Sequence, residues 1–245
     1  MNGKDIRYSR QASLAEVGEA GQQKLADSCA LLIGAGGLGT AAGLYLATAG
    51  VGRLVINDFD TVDQTNLPRQ VLYSDGDIDR PKAQVAADRL AVLNPHVTVK
   101  AVGGRLDHDA LAEQVAAADI VLDCTDNFQS RWLINELCSE HKTALVTGAA
   151  IRTEGQLSLF RHDLGNGPCY RCLYSEEDEN LNDCAGQGIL GPVAGTIGCM
   201  MATEALKFLT GIESGLEGKL WVYDAKSGNS RIVAIPQLDD CPVCT

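Results

Sequence analysis

Apolar positions along this chain follow two rhythms. Segments of strand length, rich in apolar residues, stand at Cys29–Ile33, Leu54–Asp58, Val97–Val102, Ile120–Cys124 and Ala144–Thr147. The first has no polar position at all, as suits a strand buried on both faces. Between these runs, Gln11–Asp27, Leu38–Ala49, Arg80–Leu93, Asp109–Ala117 and Arg131–Glu140 space their apolar residues as helix faces do. Gly50 and Pro95 close two of these helices, and Asp79 reads as the N-cap of the third, with Pro81 in its first turn. Strands alternating with helices of this length imply βαβ units and a mostly parallel sheet.

Past about Gly148 the rhythm changes. Gln156–Phe160 alternates polar and apolar positions as a half-exposed strand does, and Cys169 to Gly191 is irregular with an acidic cluster. Pro192–Leu209 reads as a long helix, and Leu220–Tyr223 with Arg231–Ile235 as a closing antiparallel pair. With no repeat and no Pro/Ser linker, the expectation is one continuous domain over 1–245 with an embellished second half.

Composition narrows the classes. The 245 residues are 45% hydrophobic and 21% charged, an ordinary globular balance, with a formal net charge of −12. That charge argues against a nucleic-acid or anionic-membrane surface, while leaving room for a local anion pocket. Residues 1–20 have no apolar core of the signal-peptide kind. The uncharged stretches 28–52 and 184–203 reach membrane-spanning length, but their glycines and unbiased flanks suit buried elements of an α/β core better. No membrane role is therefore expected. A reducing cytoplasm is the expected compartment, in which the nine cysteines are thiols or metal ligands.

The first chemical motif is Gly34-Ala35-Gly36-Gly37-Leu38-Gly39, a G-x-G-x-x-G that follows a predicted strand and opens a predicted helix. Glycines there let the backbone turn tightly and approach phosphates at a helix N-terminus. Asp58 ends the next strand, 24 residues past Gly34, where a carboxylate reaches ribose hydroxyls. The fold class expected is α/β, a Rossmann-like doubly wound sheet extended by antiparallel strands. A tight turn with no ligand is the bland alternative for the loop.

The second motif is Cys169-x-x-Cys172 with Cys241-x-x-Cys244, the framework of a four-thiolate structural zinc. The 68 residues between the pairs require a fold that returns the chain's last residues beside residue 170. Two independent thiol pairs are the alternative. A redox role is disfavoured because neither pair is read as opening a helix after a strand.

Arg10, Arg69, Arg80 and Lys82 form a third group. Singly each reads as a surface charge; together they suit a clamp for a triphosphate. Asp126, in Cys124-Thr125-Asp126-Asn127, lies at a strand's C-terminal end, where open α/β sheets bind ligands. It either holds magnesium beside phosphates or caps the following helix. Cys184 lies in an irregular polar segment as a candidate nucleophile, although Glu176 to Glu179 and Asp183 work against a thiolate there. Cys29, Cys124, Cys138 and Cys199 read as small buried hydrophobes. The four histidines show no ligand spacing.

These residues, in this order, resemble the bacterial MoeB/ThiF group, relatives of the ubiquitin-activating enzymes, over nearly the whole chain. The carrying segments are Arg7-Tyr8-Ser9-Arg10-Gln11, the glycine loop, Asn57-Asp58-Phe59-Asp60, Thr65-Asn66-Leu67-Pro68-Arg69-Gln70 and Asp79-Arg80-Pro81-Lys82. They continue with Asp123-Cys124-Thr125-Asp126-Asn127, Cys169-Tyr170-Arg171-Cys172, Gly191-Pro192 and Cys241-Pro242-Val243-Cys244.

The resemblance implies adenylation by ATP and magnesium of the C-terminal Gly-Gly carboxylate of a ubiquitin-like sulfur carrier, of MoaD or ThiS type, for molybdopterin or thiamin biosynthesis. It implies that Asp58 binds the ribose and that Gly34, Gly36, Gly37 and Gly39 lie under the nucleotide. Asn66, Arg69 and Lys82 would contact phosphates, and Asp126 would bind magnesium. Arg10 would enter the active site from the other subunit of a homodimer. Cys184 matches a crossover-loop cysteine that in ThiF-type members can bond covalently to the carrier and in MoeB-type members is dispensable for adenylation. The resemblance also divides the domain into a nucleotide-binding half, 1–150, and a carrier-binding and zinc half, 151–245.

Two departures matter. Pro68 stands where the group places glutamine, which bears on how Arg69 is presented. Gly148 to Gln156 looks MoeB-like while Asp77 to Lys82 and the Gly188–Gly198 stretch look ThiF-like, so the type of carrier stays open. A sequence ending at Thr245 carries no fused rhodanese domain, so a separate protein is expected to donate the sulfur in trans. The rival readings are a nicotinamide-dependent oxidoreductase, which leaves Arg69, Lys82, Asp126 and the cysteine pairs unexplained, and a family relative that activates another carboxylate. A tRNA-attached carboxylate fits poorly with the charge of −12. A non-enzymatic scaffold is the remaining reading.

Overall fold

The computed structural model describes residues 3–174 and 188–245. Five parallel strands form its centre: β1 (Cys29–Ile33), β2 (Arg53–Asp58), β3 (Thr98–Gly103), β4 (Ile120–Asp123) and β5 (Ala144–Ile151). Three antiparallel strands follow: β6 (Glu154–Phe160), β7 (Lys219–Asp224) and β8 (Asn229–Ala234). The eight strands make one sheet in the order β3-β2-β1-β4-β5-β6-β7-β8. The α/β sheet with antiparallel extension expected from the sequence is therefore present.

β1 and β4 are buried at every position because helices cover both faces. One layer holds α3 (Gly37–Ala49), α4 (Lys82–Leu93) and α8 (Gly191–Thr210). The other holds α5 (His108–Ala116), α6 (Phe128–Glu140) and the single turn α7 (Tyr170–Leu173). Leu32 and Leu122 point into the first layer and Leu31 and Val121 into the second, the alternation a strand dictates. Each such fully buried side chain contributes about 1.5–3 kcal/mol relative to exposure.

Register positions the site. Ile33 pairs with Asn57 on one side and Asp123 on the other. Gly34, Asp58 and Cys124 therefore leave the sheet together, at the carboxyl ends of β1, β2 and β4. The order β2-β1-β4 places the switch between strands that run outward in opposite directions at β1, where open α/β sheets bind ligands.

Several predicted elements differ from those found. The helix expected over Gln11–Asp27 is two, α1 (Gly3–Ala12) and α2 (Gly18–Asp27), because Gly18 takes a φ of +60° and turns the chain. α4 begins at Lys82, and Asp79 is not its cap. Asp79 adopts a φ of +67° and donates its N–H to Val62 O, while Pro81 bridges Thr61 in antiparallel fashion. β5 runs past Thr147 to Ile151 because small residues there let α8 lie on the strand while β6 pairs along its full length. Cys199 is only half-buried, unlike Cys29, Cys124 and Cys138. Among the described residues no helix is long and apolar enough to cross a membrane.

Candidate active site and metal centre

The glycine loop joins β1 to α3 through close backbone approaches. Gly34 has φ +95°, and a Cβ there would lie 2.8 Å from the carbonyl oxygen of Cys124. A Cβ on Gly39 would lie 1.9 Å from Gly34 O. Any side chain at either position would push the loop off the end of β4 or off its own helix.

The Ala35 peptide is held from both sides. Its N–H donates to Asp58 Oδ2 at 2.7 Å, and its carbonyl accepts the Tyr73 hydroxyl at 2.8 Å. Asp58 Oδ1 accepts the Asp60 N–H at 2.8 Å. Burial pushes the Asp58 carboxyl above its ordinary value, and these two backbone donors with the charge of Lys82 pull it back. Hydroxyl donors from a ligand would serve the same carboxylate. Gly36 faces open space, with Gln70 Nε2 the nearest group at 3.7 Å from where a Cβ would stand. An anion placed there would meet the N-terminus of the 13-residue α3.

Basic groups border this face. Lys82 is buried, with Nζ 3.0 Å from Asp60 Oδ2. Arg69 is half-buried beside Gly37, and its guanidinium donates to Thr65 O at 2.9 Å. Asn66 lies in the 3-10 turn Gln64–Asn66, whose first N–H groups are organised by Asp63 Oδ1 accepting from Thr65. Pro68 touches Gly191 at the start of α8 through its carbonyl, so Arg69 hangs from a segment wedged between two helix starts.

Asp126 is exposed just beyond β4 and does not cap the next helix. That cap is Asn127, whose Oδ1 accepts from Ser130 N at 2.9 Å. Beneath it, buried Asp123 accepts from the Thr125 N–H, the Thr125 hydroxyl and the Thr147 hydroxyl, and Arg131 donates to Thr125 O at 2.6 Å. Burial raises the Asp123 carboxyl, against the pull of Arg131 and those donors. The exposed carboxylate of Asp126 thus stands on a rigid turn.

Two cations of the expected clamp are elsewhere. Arg80 pairs with Asp77 at 2.7 Å and Asp88 at 3.5 Å, outside the loop face, because Asp79 turns it back toward residue 77. Arg10 is exposed at the far end of α3. There Tyr8 packs on Gly50 and shares Asn94 with Ala47 O, and Gln11 donates to Ala49 O. The 13 residues of α3 put about 20 Å between that end and the glycine loop. Cys184 lies outside the described residues.

Sequence reasoning missed three polar groups at these sites: Asp60, Gln70 and Asn135. Gln70 is 4% exposed and its Oε1 has no partner. The Asp-x-Asp spacing at the end of β2 signalled Asp60, and an asparagine on the apolar face of α6 signalled Asn135.

The four CxxC sulfurs come together, all within 4.8 Å of one another. Cys169 Sγ is 3.6 Å from Cys241 Sγ, and Cys172 Sγ is 3.4 Å from Cys244 Sγ. A tetrahedron with metal–sulfur bonds of about 2.3 Å has sulfur–sulfur edges of about 3.8 Å, so the set fits zinc. Cys169 does open a helical turn, α7, but that turn follows the 3-10 turn His162–Leu164 instead of a strand. The described cysteines form no disulfide.

A doubly wound sheet with a phosphate-type glycine loop at its switch point and a carboxylate at the next strand end defines a Rossmann-like α/β protein, here with a four-thiol cluster that could hold a metal. The chain belongs to the ThiF family, whose model matches residues 8–243. It is 47% identical over 245 residues to the sulfur carrier protein ThiS adenylyltransferase of Escherichia coli, covering 100% of this chain and 97% of that protein. It is 44% identical over 239 residues to the molybdopterin-synthase adenylyltransferase of Salmonella typhimurium, covering 98% and 96%. Among solved structures, E. coli MccB with MccA-N7isoAsn superposes with a TM-score of 0.86 at 25% identity, over 98% of this chain and 75% of that one.

Proposed function

We propose that this protein adenylates the C-terminal Gly-Gly carboxylate of a ubiquitin-like sulfur carrier, of MoaD or ThiS type or both, for sulfur transfer in molybdopterin or thiamin biosynthesis. The observation that carries the reading is the convergence of the glycine loop, Asp58, Arg69 and Lys82 at the carboxyl ends of β1 and β2, in a chain 44–47% identical to two adenylyltransferases.

The chemistry is an in-line displacement. A carrier carboxylate oxygen attacks the α-phosphorus of ATP, the bond to the bridging oxygen breaks, and pyrophosphate leaves with that electron pair. The product is an acyl-adenylate, and no proton need move. Both reactants are anions, so positioning and charge neutralisation do the catalysis. In this reading Asp58 holds the ribose hydroxyls, and Gly34, Gly36, Gly37 and Gly39 bring backbone close under the phosphates. Asn66, Arg69 and Lys82 bind phosphate oxygens, Lys82 exchanging Asp60 for them. Asp126 would supply one of the one or two carboxylates with which magnesium is held beside phosphates, and the ion would neutralise charge on the triphosphate. The four cysteines hold zinc.

Arg10 completes the site from the partner subunit of a homodimer, a reading supported by its position about 20 Å from its own glycine loop. Cys184 acts after adenylation, and sulfur arrives from a separate donor protein. Residues 1–150 make the nucleotide half and 151–245 the carrier and zinc half. A reducing cytoplasm suits the thiolates. Incubation with ATP, magnesium and a Gly-Gly carrier should yield carrier whose mass is increased by one adenylyl group; unmodified carrier with every such protein tried would refute the reading.

A further inference from the structure

The four-cysteine cluster has a polar neighbour that neither CxxC contains. Asn135, on α6, is fully buried. Its Oδ1 accepts the Tyr170 N–H at 2.9 Å and meets His162 Nε2 at 3.2 Å. A backbone N–H can only donate, so the oxygen of this amide must face Tyr170, which settles which way the side chain is turned. His162 is buried and burial pushes its imidazole down to about 4, so the ring is neutral and Nε2 carries the proton it gives to Oδ1.

The other end of the amide is then fixed as well. Asn135 Nδ2 is buried with no hydrogen-bond partner, and because Oδ1 is held by the N–H of Tyr170, the residue that follows Cys169, the free end of the amide lies beside the Cys169 sulfur. A buried N–H2 without an oxygen partner is costly. A metal-bound thiolate, which carries negative charge and accepts hydrogen bonds, is the chemical group that satisfies it.

We infer that Asn135 is the positioning residue of the metal centre, its amide donating to the Cys169 sulfur and aiming that sulfur at the ion. The inference rests on the reading of the four cysteines as a zinc site. α6 touches the other CxxC as well, since Ser139 Oγ donates to Val243 O at 3.0 Å. The same helix starts one residue after Asn127, beside Asp126, so a single rigid element spans from the metal centre to the proposed nucleotide site. Partners that orient metal ligands change metal affinity by about 10–100-fold when removed.

The test separates donation from mere packing. Asn135→Asp keeps an oxygen for Tyr170 N–H and His162 but replaces the donor to sulfur by an acceptor. Zinc content of the wild-type protein is measured first; about one zinc per chain supports the metal reading, and its absence sinks that reading and the inference together. Zinc release to a chromophoric chelator is then timed for both proteins. The inference predicts release about tenfold or more faster from Asn135→Asp. Release within twofold of wild type, from a protein that still carries its zinc, overturns the inference and leaves the metal site intact. Should the variant not fold, the wild-type protein loaded with cadmium-113 gives a second reading by NMR. The Asn135 amide protons should correlate with the metal through the hydrogen-bonded sulfur, and absence of that correlation overturns the inference.

Discussion

Lys82 carries its ammonium 3.0 Å from the Asp60 carboxylate, the lysine side chain 7% exposed and the aspartate 53%. The cation is thus held inside the site by a partner that solvent and ligand can reach. A triphosphate arriving at the glycine loop competes for the lysine without leaving a buried carboxylate unpaired. Lys82→Ala is expected to lower adenylation by about 10²–10³-fold while the fold persists. Asp60→Asn is expected to cost roughly 1–2 kcal/mol of stability, because it weakens the partner of a buried ammonium. Saturating ATP should recover part of that loss. Thermal melts with and without nucleotide check both, and adenylation by Lys82→Ala within threefold of wild type would contradict the role.

The turn that delivers Lys82 to the site depends on a second carboxylate. Buried Asp77 accepts from the Ser74 hydroxyl at 2.7 Å and the Ser74 N–H at 3.0 Å, and pairs with Arg80 and Arg89 at 2.7 and 2.8 Å. The Ser74 hydroxyl, then its N–H and the two arginines, hold the Asp77 carboxyl below its ordinary value of 3.8, against the effect of burial. Its folded value is lower than its unfolded one. It therefore contributes stability above pH 3.8 and loses it as pH falls through the folded value. Asp77→Asn should cost about 1–3 kcal/mol at pH 7. The gap to wild type should shrink as the pH drops below 4, a range roughly set by the ordinary carboxylate value. Urea titrations across pH test this, and a gap unchanged down to pH 3 (about one unit below that value) would contradict it.

Much of the fold was legible because parallel strands buried on both faces must be largely apolar, as β1 is throughout and β4 is up to Asp123. The break before α2 was not, since nothing in the pattern of apolar positions shows that Gly18 takes a positive φ. The start of α4 escaped for a tertiary reason: Asp79 and Pro81 are held by Val62 and Thr61, residues far off in the apolar pattern. The glycine loop, Asp58 and the CxxC pairs could be read because their spacing is local. Gln70 and Asn135 matter through burial against distant elements, and Asp60 through its pairing with Lys82, relationships that the packed structure displays.

The cysteine cluster predicts a bound metal. Purified protein should hold about one zinc per chain. Cys241→Ser should lower Tm by roughly 5–10 °C, the effect of about 2–3 kcal/mol on a domain of this size. Metal analysis and calorimetry check this, and a metal-free protein with an unchanged Tm in the variant would remove the zinc from the account.

Arg10 tests the homodimer. Arg10→Ala and Lys82→Ala proteins should each be inactive alone. When subunits exchange, half the dimers are mixed and one of the two sites in each is intact, giving about a quarter of wild-type activity. No recovery after exchange, verified by mass spectrometry of the mixed dimer, would show that Arg10 does not act across subunits.

The central claim is adenylation of a carrier's carboxyl terminus, and exchange of labelled pyrophosphate into ATP measures that step directly. The account predicts exchange that requires magnesium and a carrier ending in Gly-Gly, that is lost when the last glycine is removed, and that survives Cys184→Ala. Exchange that proceeds equally without the carrier, or that fails with every carrier of this type, would contradict it.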